Sequence, residues 1–477
     1  MKHRATGTMG AAVAALAILF CAGAQAGVHR YEVTVDARLE QLTVHACFQG
    51  RAPEYLIAES DGAHFYLESM RLIESNVPAA RALEARGEKV ALGASTDDAC
   101  VDYAVKLQPA QTSVQTGGPE TRRIGGSMLT SFGEWLWRAP DTDAVLELRF
   151  RLPAGIEVST PWKRDKDAAG ALFLVGPTPP DWSGIVAFGR FAPHDIAVDG
   201  AILHVALVGL ATDVQARFDK WIEGAAHNAI QLYGKFPVES LQVVVAPTPR
   251  GRGPVPWAYV ARGGGPAIHL FVNPARPPAE FEQDWSLTHE MSHLFLPYIV
   301  SRDAWLYEGV PTYLQNTLMA RGGAISADEA WERMHAGFRR GALTAPHLSL
   351  ARANERVGFG PYLRVYWGGA ALMLEADLRL RKQSGGKQSL DTALAQLNRC
   401  CAGEQRRWAA DEIIARIDEL TGSTVFSEIV RRQFGAEGFP DYEAVFAQVG
   451  VGTTTGVTYD ASAPWAVERE AVMRPLP

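Results

Sequence analysis

The sequence predicts a multidomain α+β protein: an N-terminal β-sandwich, then a mixed α+β domain, then a helical C-terminal part. Three observations carry this. Runs of period-two alternation fill the stretch from Tyr31 to about Phe191. Strand and helix patterns interleave after Gly189, and helical spacing alone continues beyond Gln315. Finally, 477 residues are too many for one core, so two or three domains are expected.

Residues 1–26 read as a processing segment. Lys2, His3 and Arg4 make a basic start, Ala11 to Cys21 form an apolar run short for a membrane span, and Ala24-Gln25-Ala26 places small residues at a cleavage position. Phe20 is bulky where lipid attachment at Cys21 would want a small residue. The expected mature product is exported, periplasmic or secreted, with no transmembrane segment. Removing Lys2 and Arg4 takes the formal charge from −7 to −9, which argues against nucleic acid as a partner.

The β-sandwich is expected over 27–192. Tyr31–Asp36, Leu42–Cys47 and Ala144–Phe150 alternate, and the turn clusters 115–119 and 177–181 punctuate them. It either walls a substrate cleft or serves only as a scaffold. Export permits disulfides, and Cys47 with Cys100, both in strand-like sequence, is the favoured bridge. The neighbours Cys400 and Cys401 form either a vicinal bond or two free thiols.

The second domain is expected over 193–330. His204–Val208, Leu241–Ala246 and Ala267–Val272 read as strands, and Asp213–Tyr233 as a helix with Phe218, Ile222, Ala226 and Ile230 on one face. The Gly/Pro-rich stretch 247–256 is a loop. Ala267–Val272 is expected either to be a sheet edge, able to hold an extended peptide, or an internal strand. Helices are expected in the third part, 331–450, with Ala327–Ala342 opening the series. Pro361–Gln383, Ser389–Leu397, Trp408–Thr421 and Val425–Phe434 follow, and a surface tail takes up 451–477.

The chemistry concentrates between Asp284 and Gln315. His289, Glu290 and His293 stand in the order H-E-x-x-H. On a helix the two histidines lie one turn apart on one face and converge on one metal ion, with the glutamate close to a water held there. A hydrolytic zinc site takes three protein ligands and keeps a fourth position open. Glu308, fifteen positions past His293 in Trp-Leu-Tyr-Glu-Gly, is the candidate third ligand. Pro297 and a short polar loop let the second helix fold back across the first.

These residues resemble the glycyl aminopeptidase family of gluzincin metallopeptidases, within the thermolysin-like group. The match rests on His289-Glu-Met-Ser-His293, on Trp305-Leu-Tyr-Glu-Gly309 with Thr312-Tyr313, and on Tyr366-Trp-Gly-Gly-Ala370. It continues through Leu374-Glu-Ala-Asp377, Leu378-Arg379 and Ser384–Asp391. The resemblance implies a thermolysin-like catalytic domain binding one zinc ion per chain through His289, His293 and Glu308. It implies Glu290 as general base and Tyr366 as hydrogen-bond donor to the oxyanion. Thr312 becomes a candidate partner of Glu308. His347 and Arg364 are candidates to border the cleft, with surface or packing roles as the equal alternative.

The sequence departs from the family in three places. The loop from His293 to Glu308 is short, and no room follows Phe434 for the PDZ domain that often closes these chains. Related aminopeptidases carry an amine-binding carboxylate on a glycine-rich strand segment, and the comparable Arg262–Pro266 has none. The expected activity is hydrolysis of peptide bonds in a peptide or protein substrate. The competing readings are a zinc hydrolase of the same fold acting on a non-peptide substrate, and a non-catalytic binding protein that keeps the fold.

Overall fold

The computed structural model describes residues 28–476, apart from 95, 109–120, 141–143, 166, 167, 169, 177, 180, 181, 183, 249, 250 and 455. The expected processing segment 1–26, the turn cluster 115–119 and part of 177–181 lie outside the described residues.

The N-terminal part is built on two packed sheets, with a small three-stranded sheet of Tyr55–Ile57, Lys89–Ala91 and Ala85–Arg86 beside them. The larger has eight strands, among them Val28–Val35, Gln41–Phe48, Cys100–Lys106 and Val145–Arg151. In Val28–Val35 and Gln41–Phe48 alternate residues are buried, with Tyr31, Val33, Leu42, Val44 and Phe48 pointing into the core. The smaller, four-stranded sheet of the pair contributes Met128, Val158, Val186 and Phe188 to that core, which makes the pair a sandwich. Cys47 lies directly opposite Cys100 on the neighbouring strand, and the two are bonded. Cys400 and Cys401 are bonded as well.

The two central strands of the four-stranded sheet are buried on both faces. Ser127–Ser131 and Ile185–Gly189 expose nothing, because Leu129, Ile185 and Ala187 pack against Ala206, Val244 and Phe271 of the next sheet. Gln242 crosses the same seam, donating to Ser159 Oγ at 3.0 Å. The sandwich is thus welded to the sheet behind the functional site.

That sheet has five strands, in the order His194–Val198, Ala201–Leu207, Ser240–Pro247, Ala267–Val272, Trp257–Ala261. Ala267–Val272 pairs on both sides, parallel to Ser240–Pro247 and antiparallel to Trp257–Ala261. It is therefore internal, and the edge belongs to Trp257–Ala261. The reason is a further strand between Ser240–Pro247 and Ala267–Val272 in sequence, whose residues, Trp-Ala-Tyr-Val-Ala, carry little alternation. The helix Gln215–Ile230 packs Phe218, Ile222 and Ala226 onto the sheet, as the spacing predicts.

The remaining chain is mainly helical, with one small hairpin of Val451–Gly452 and Thr458–Tyr459: Gly309–Arg321, Ala327–Leu343, Tyr362–Ser384, Leu390–Cys401, Ala410–Thr421 and Val425–Gln433 lead this part. One apolar core runs from Ile196 to Met473, so a division at 330 does not separate two cores. The segment after 450 departs from the expected surface tail. It forms the helix Ala466–Met473, which buries Val472 and Met473, and Arg321 Nε donates to the Val472 carbonyl at 2.8 Å. Its buried positions include Glu468 and Arg469, so apolar periodicity does not mark it.

Candidate active site

The helix Ser286–His293 carries the first two candidate ligands and is buried along its whole length. Asp284 starts it, its carboxylate accepting from the Ser286 amide at 2.8 Å. Burial pushes the Asp284 acid up to about 6. Arg262 ends it, donating from Nη2 to the carbonyls of His293 and Leu296, both at 2.9 Å. Carbonyls at a helix end lack partners within the helix, and this guanidinium supplies them. Arg262 is thus a helix-end clasp, with its stem in the loop after the edge strand.

Glu308 arrives from the next turn. It lies between the short helix Ala304–Tyr307 and the helix Gly309–Arg321. Asn354 fixes this approach by accepting from the Trp305 amide at 3.0 Å and donating to the Arg302 carbonyl at 2.7 Å. Gly309 and Gly369 then let the helices Gly309–Arg321 and Tyr362–Ser384 cross backbone to backbone. Tyr366, one turn before Gly369, is carried onto Glu308, and its hydroxyl bonds that carboxylate.

Glu308 Oε2 lies 3.1 Å from His289 Nε2 and 3.6 Å from His293 Nε2. Two donors bound tetrahedrally to zinc at ordinary bond lengths are about 3.3 Å apart, so these spacings match such a shell. All three donor atoms lie within 4.8 Å of one another. Gln315 Oε1 sits 2.8 Å from His289 Nδ1, which assigns the proton to Nδ1 and turns the Nε2 lone pair toward the shared centre. His293 Nδ1 is buried without a protein partner, and the Tyr307 ring lies 4.3 Å from its own. The donor set, two imidazoles and a carboxylate, suits zinc and fits the group. A second cluster, His45, Cys47 and Cys100, has its two sulfurs committed to the disulfide.

The electrostatics separate the two glutamates. Burial, with Glu308 nearby, pushes the Glu290 acid up to about 7 against the opposing pull of His289. Burial also acts to raise Glu308, but His293, His289 and the Tyr366 hydroxyl outweigh it and hold that carboxyl below its usual range. Burial pulls His293 down to about 3. Burial, then Glu308 and Glu290, push the Tyr366 hydroxyl upward, so it stays protonated and can donate.

Of the sequence candidates, His289, Glu290, His293, Glu308 and Tyr366 come together. Thr312 is buried one turn from Glu308, and its hydroxyl meets no protein partner. Arg364 does not border the site: it is buried and donates to the carbonyls of Ala342 and Thr344 at 3.1 and 3.3 Å. His347 is exposed, with no contact to the cluster. Gln315, Tyr307 and Asn354 escaped the sequence reading. Gln315 alone left a signal, standing two turns past Glu308 on the same helix.

The fold is that of the gluzincin zinc metallopeptidases of the aminopeptidase N type. An aminopeptidase N family protein from Idiomarina loihiensis aligns with a TM-score of 0.65 at 15% identity, over 91% of this chain and 82% of that one. An M1 zinc metallopeptidase from Deinococcus radiodurans gives 0.54 at 14%, over 87% and 94%. Yeast LTA4 hydrolase with bestatin gives 0.53 at 13%, over 84% and 65%. No protein-family model and no curated protein matches the sequence. The likeness to thermolysin-like gluzincins is one of fold.

Proposed function

We propose that the protein is an exported zinc metallopeptidase that hydrolyses peptide bonds, with Glu290 as general base. One observation carries this reading: a carboxylate oxygen at tetrahedral spacing from two imidazole nitrogens, with a buried carboxylic acid and a protonated tyrosine beside them. His289, His293 and Glu308 would hold a zinc ion, which when bound would supply Lewis acidity toward a water and the scissile carbonyl. Glu290 takes the water proton and hands it to the leaving amine. Tyr366 donates to the oxygen that gains charge as the carbonyl is attacked. The edge strand Trp257–Ala261 packs beside the helix Ser286–His293 and offers main-chain groups to an extended peptide.

The solved structures support the substrate class. A point mutant of the Deinococcus radiodurans metallopeptidase is bound to a Tyr-Ser-Ala substrate. Export is supported by the two disulfides, which persist in oxidising compartments. No described helix is long and apolar enough to cross a membrane.

The test is metal content and peptide cleavage measured together on the unaltered protein and on Glu290→Gln. About one zinc per chain in both, with cleavage lost only in the variant, is the expected result. Zinc in both with no cleavage in either would instead favour a binding protein. Turnover of esters or epoxides but not peptides would favour a non-peptide hydrolase.

A further inference from the structure

Exposed apolar side chains scattered singly are ordinary, but a group of them bordering a functional site marks a place where something apolar is received. Two of them flank the metal cluster. Trp285 is 44% exposed and stands one helical turn before His289, its ring 5.5 Å from the imidazole. Tyr362 is 51% exposed and stands one turn before Tyr366, with ring centroids 5.9 Å apart. Tyr366 bonds Glu308, and Glu308 reaches His289. Trp285, His289, Glu308, Tyr366 and Tyr362 therefore form one continuous chain of contacts, with an open aromatic ring at each end.

Neither ring is explained by packing. Trp285 stands at the start of a helix whose eight residues are all buried, yet its own ring is exposed. Tyr362 opens its helix beside the short turn Val357–Phe359, where Phe359 is 91% exposed between Gly358 and Gly360. Gly360 adopts φ +123°, a conformation that favours glycine, and so lets the chain leave that turn and enter the helix. The apolar strip thus continues outward from the site along the sequence.

We propose that Trp285 and Tyr362 are specificity-determining residues, a pair of aromatic walls that receive the large apolar side chains flanking the scissile bond. This rests on the peptidase reading and names its substrate class: peptides carrying Phe, Tyr, Leu or similar residues at the cleavage point. The argument is chemical. A flat, half-exposed ring loses water gladly to an apolar partner, stacks on aromatic side chains, and gains little from glycine or alanine. Ring walls anchored on His289 and Tyr366 also share the rigidity of the catalytic groups, so filling them aligns the peptide bond with Glu290.

The experiment compares kcat/KM on two matched sets of quenched peptides, one with Phe or Leu on both sides of the cleaved bond and one with Gly or Ala there. Trp285→Ala and Tyr362→Ala are each expected to shrink the ratio of the two by about tenfold, mostly through KM, with zinc content unchanged. Trp285→Phe and Tyr362→Phe should restore most of the ratio. Unaltered protein that cleaves both sets equally overturns the walls and leaves the peptidase reading standing. Alanine variants with the ratio intact, or with equal loss on both sets, also overturn them. A zinc-loaded protein that cleaves no peptide removes the peptidase reading and the walls with it.

Discussion

Gly309 and Gly369 face each other where two helices cross, so closely that a methyl group on Gly309 would come within 2.6 Å of the Gly369 Cα. A methyl on Gly369 would run into the Trp305 carbonyl oxygen. Nothing in this contact can yield except backbone. The crossing brings the candidate ligand Glu308 and the candidate oxyanion donor Tyr366 within one hydrogen bond of each other.

Gly369→Ala should therefore be severe. Overpacking against backbone costs about 3 kcal/mol, and the helices must part to accommodate it. Thermal unfolding should show a fall of several degrees, and zinc content should fall with it because Glu308 moves away from His289.

Tyr366→Phe removes the donor and keeps the ring. Loss of one oxyanion donor costs about a hundredfold to a thousandfold in kcat. The variant should lose kcat by that order with KM little changed, since the bond strengthens in the transition state. Steady-state kinetics on one peptide decide it.

Gln315→Leu leaves His289 Nδ1 without its acceptor. The imidazole is then free to take the wrong tautomer, and metal affinity should weaken about 10- to 100-fold. Competition with a chelator of known strength measures this. The same titration on unaltered protein should show loss of thermal stability as the ion is withdrawn, because binding to the folded chain stabilises it.

Asp391 makes stability depend on acid. It pairs with Arg321 at 3.0 Å and Arg381 at 2.7 Å, and Arg381 also reaches the fully buried Asp377 at 3.0 Å. Burial acts to raise the Asp391 pKa, but the two arginines outweigh it, so the folded value lies below the ordinary 3.8. A depressed carboxylate contributes stability that is present above its unfolded pKa and is lost as pH falls through its folded pKa. Asp391→Asn should cost about 3–5 kcal/mol near neutral pH by leaving the buried Arg321 without a carboxylate and Arg381 with Asp377 alone. The gap from the unaltered protein should narrow below pH 3.8. Urea unfolding at several pH values tests both statements.

Much of the site was legible because metal chemistry is local in sequence. His289 and His293 announce themselves by helical spacing, and Glu308 by its place in the next helix. Asp377 and Asp391 stood in the recognised stretch, yet only the structure shows them as an ion network that joins three helices. Gln315, Asn354 and Tyr307 act through contacts across turns, which no spacing rule records. The sandwich strands that alternate were readable. Ser127–Ser131 and Ile185–Gly189 were not, since burial on both faces erases the alternation. The edge strand Trp257–Ala261 was missed for a related reason: its five side chains differ little in exposure from one to the next.

Val28–Val35 is the first described strand and lies in the middle of the eight-stranded sheet, between Gln41–Phe48 and Val145–Arg151. Its parallel partner follows more than a hundred residues later in the chain. The large sheet therefore cannot close during synthesis until residue 151 has emerged, and until then the opening strand keeps one side unpaired. Deleting it would not trim a border. It would cut the sheet into halves and expose two new edges open to other chains, so truncation at this end should be read out as aggregation before it is read out as lost activity.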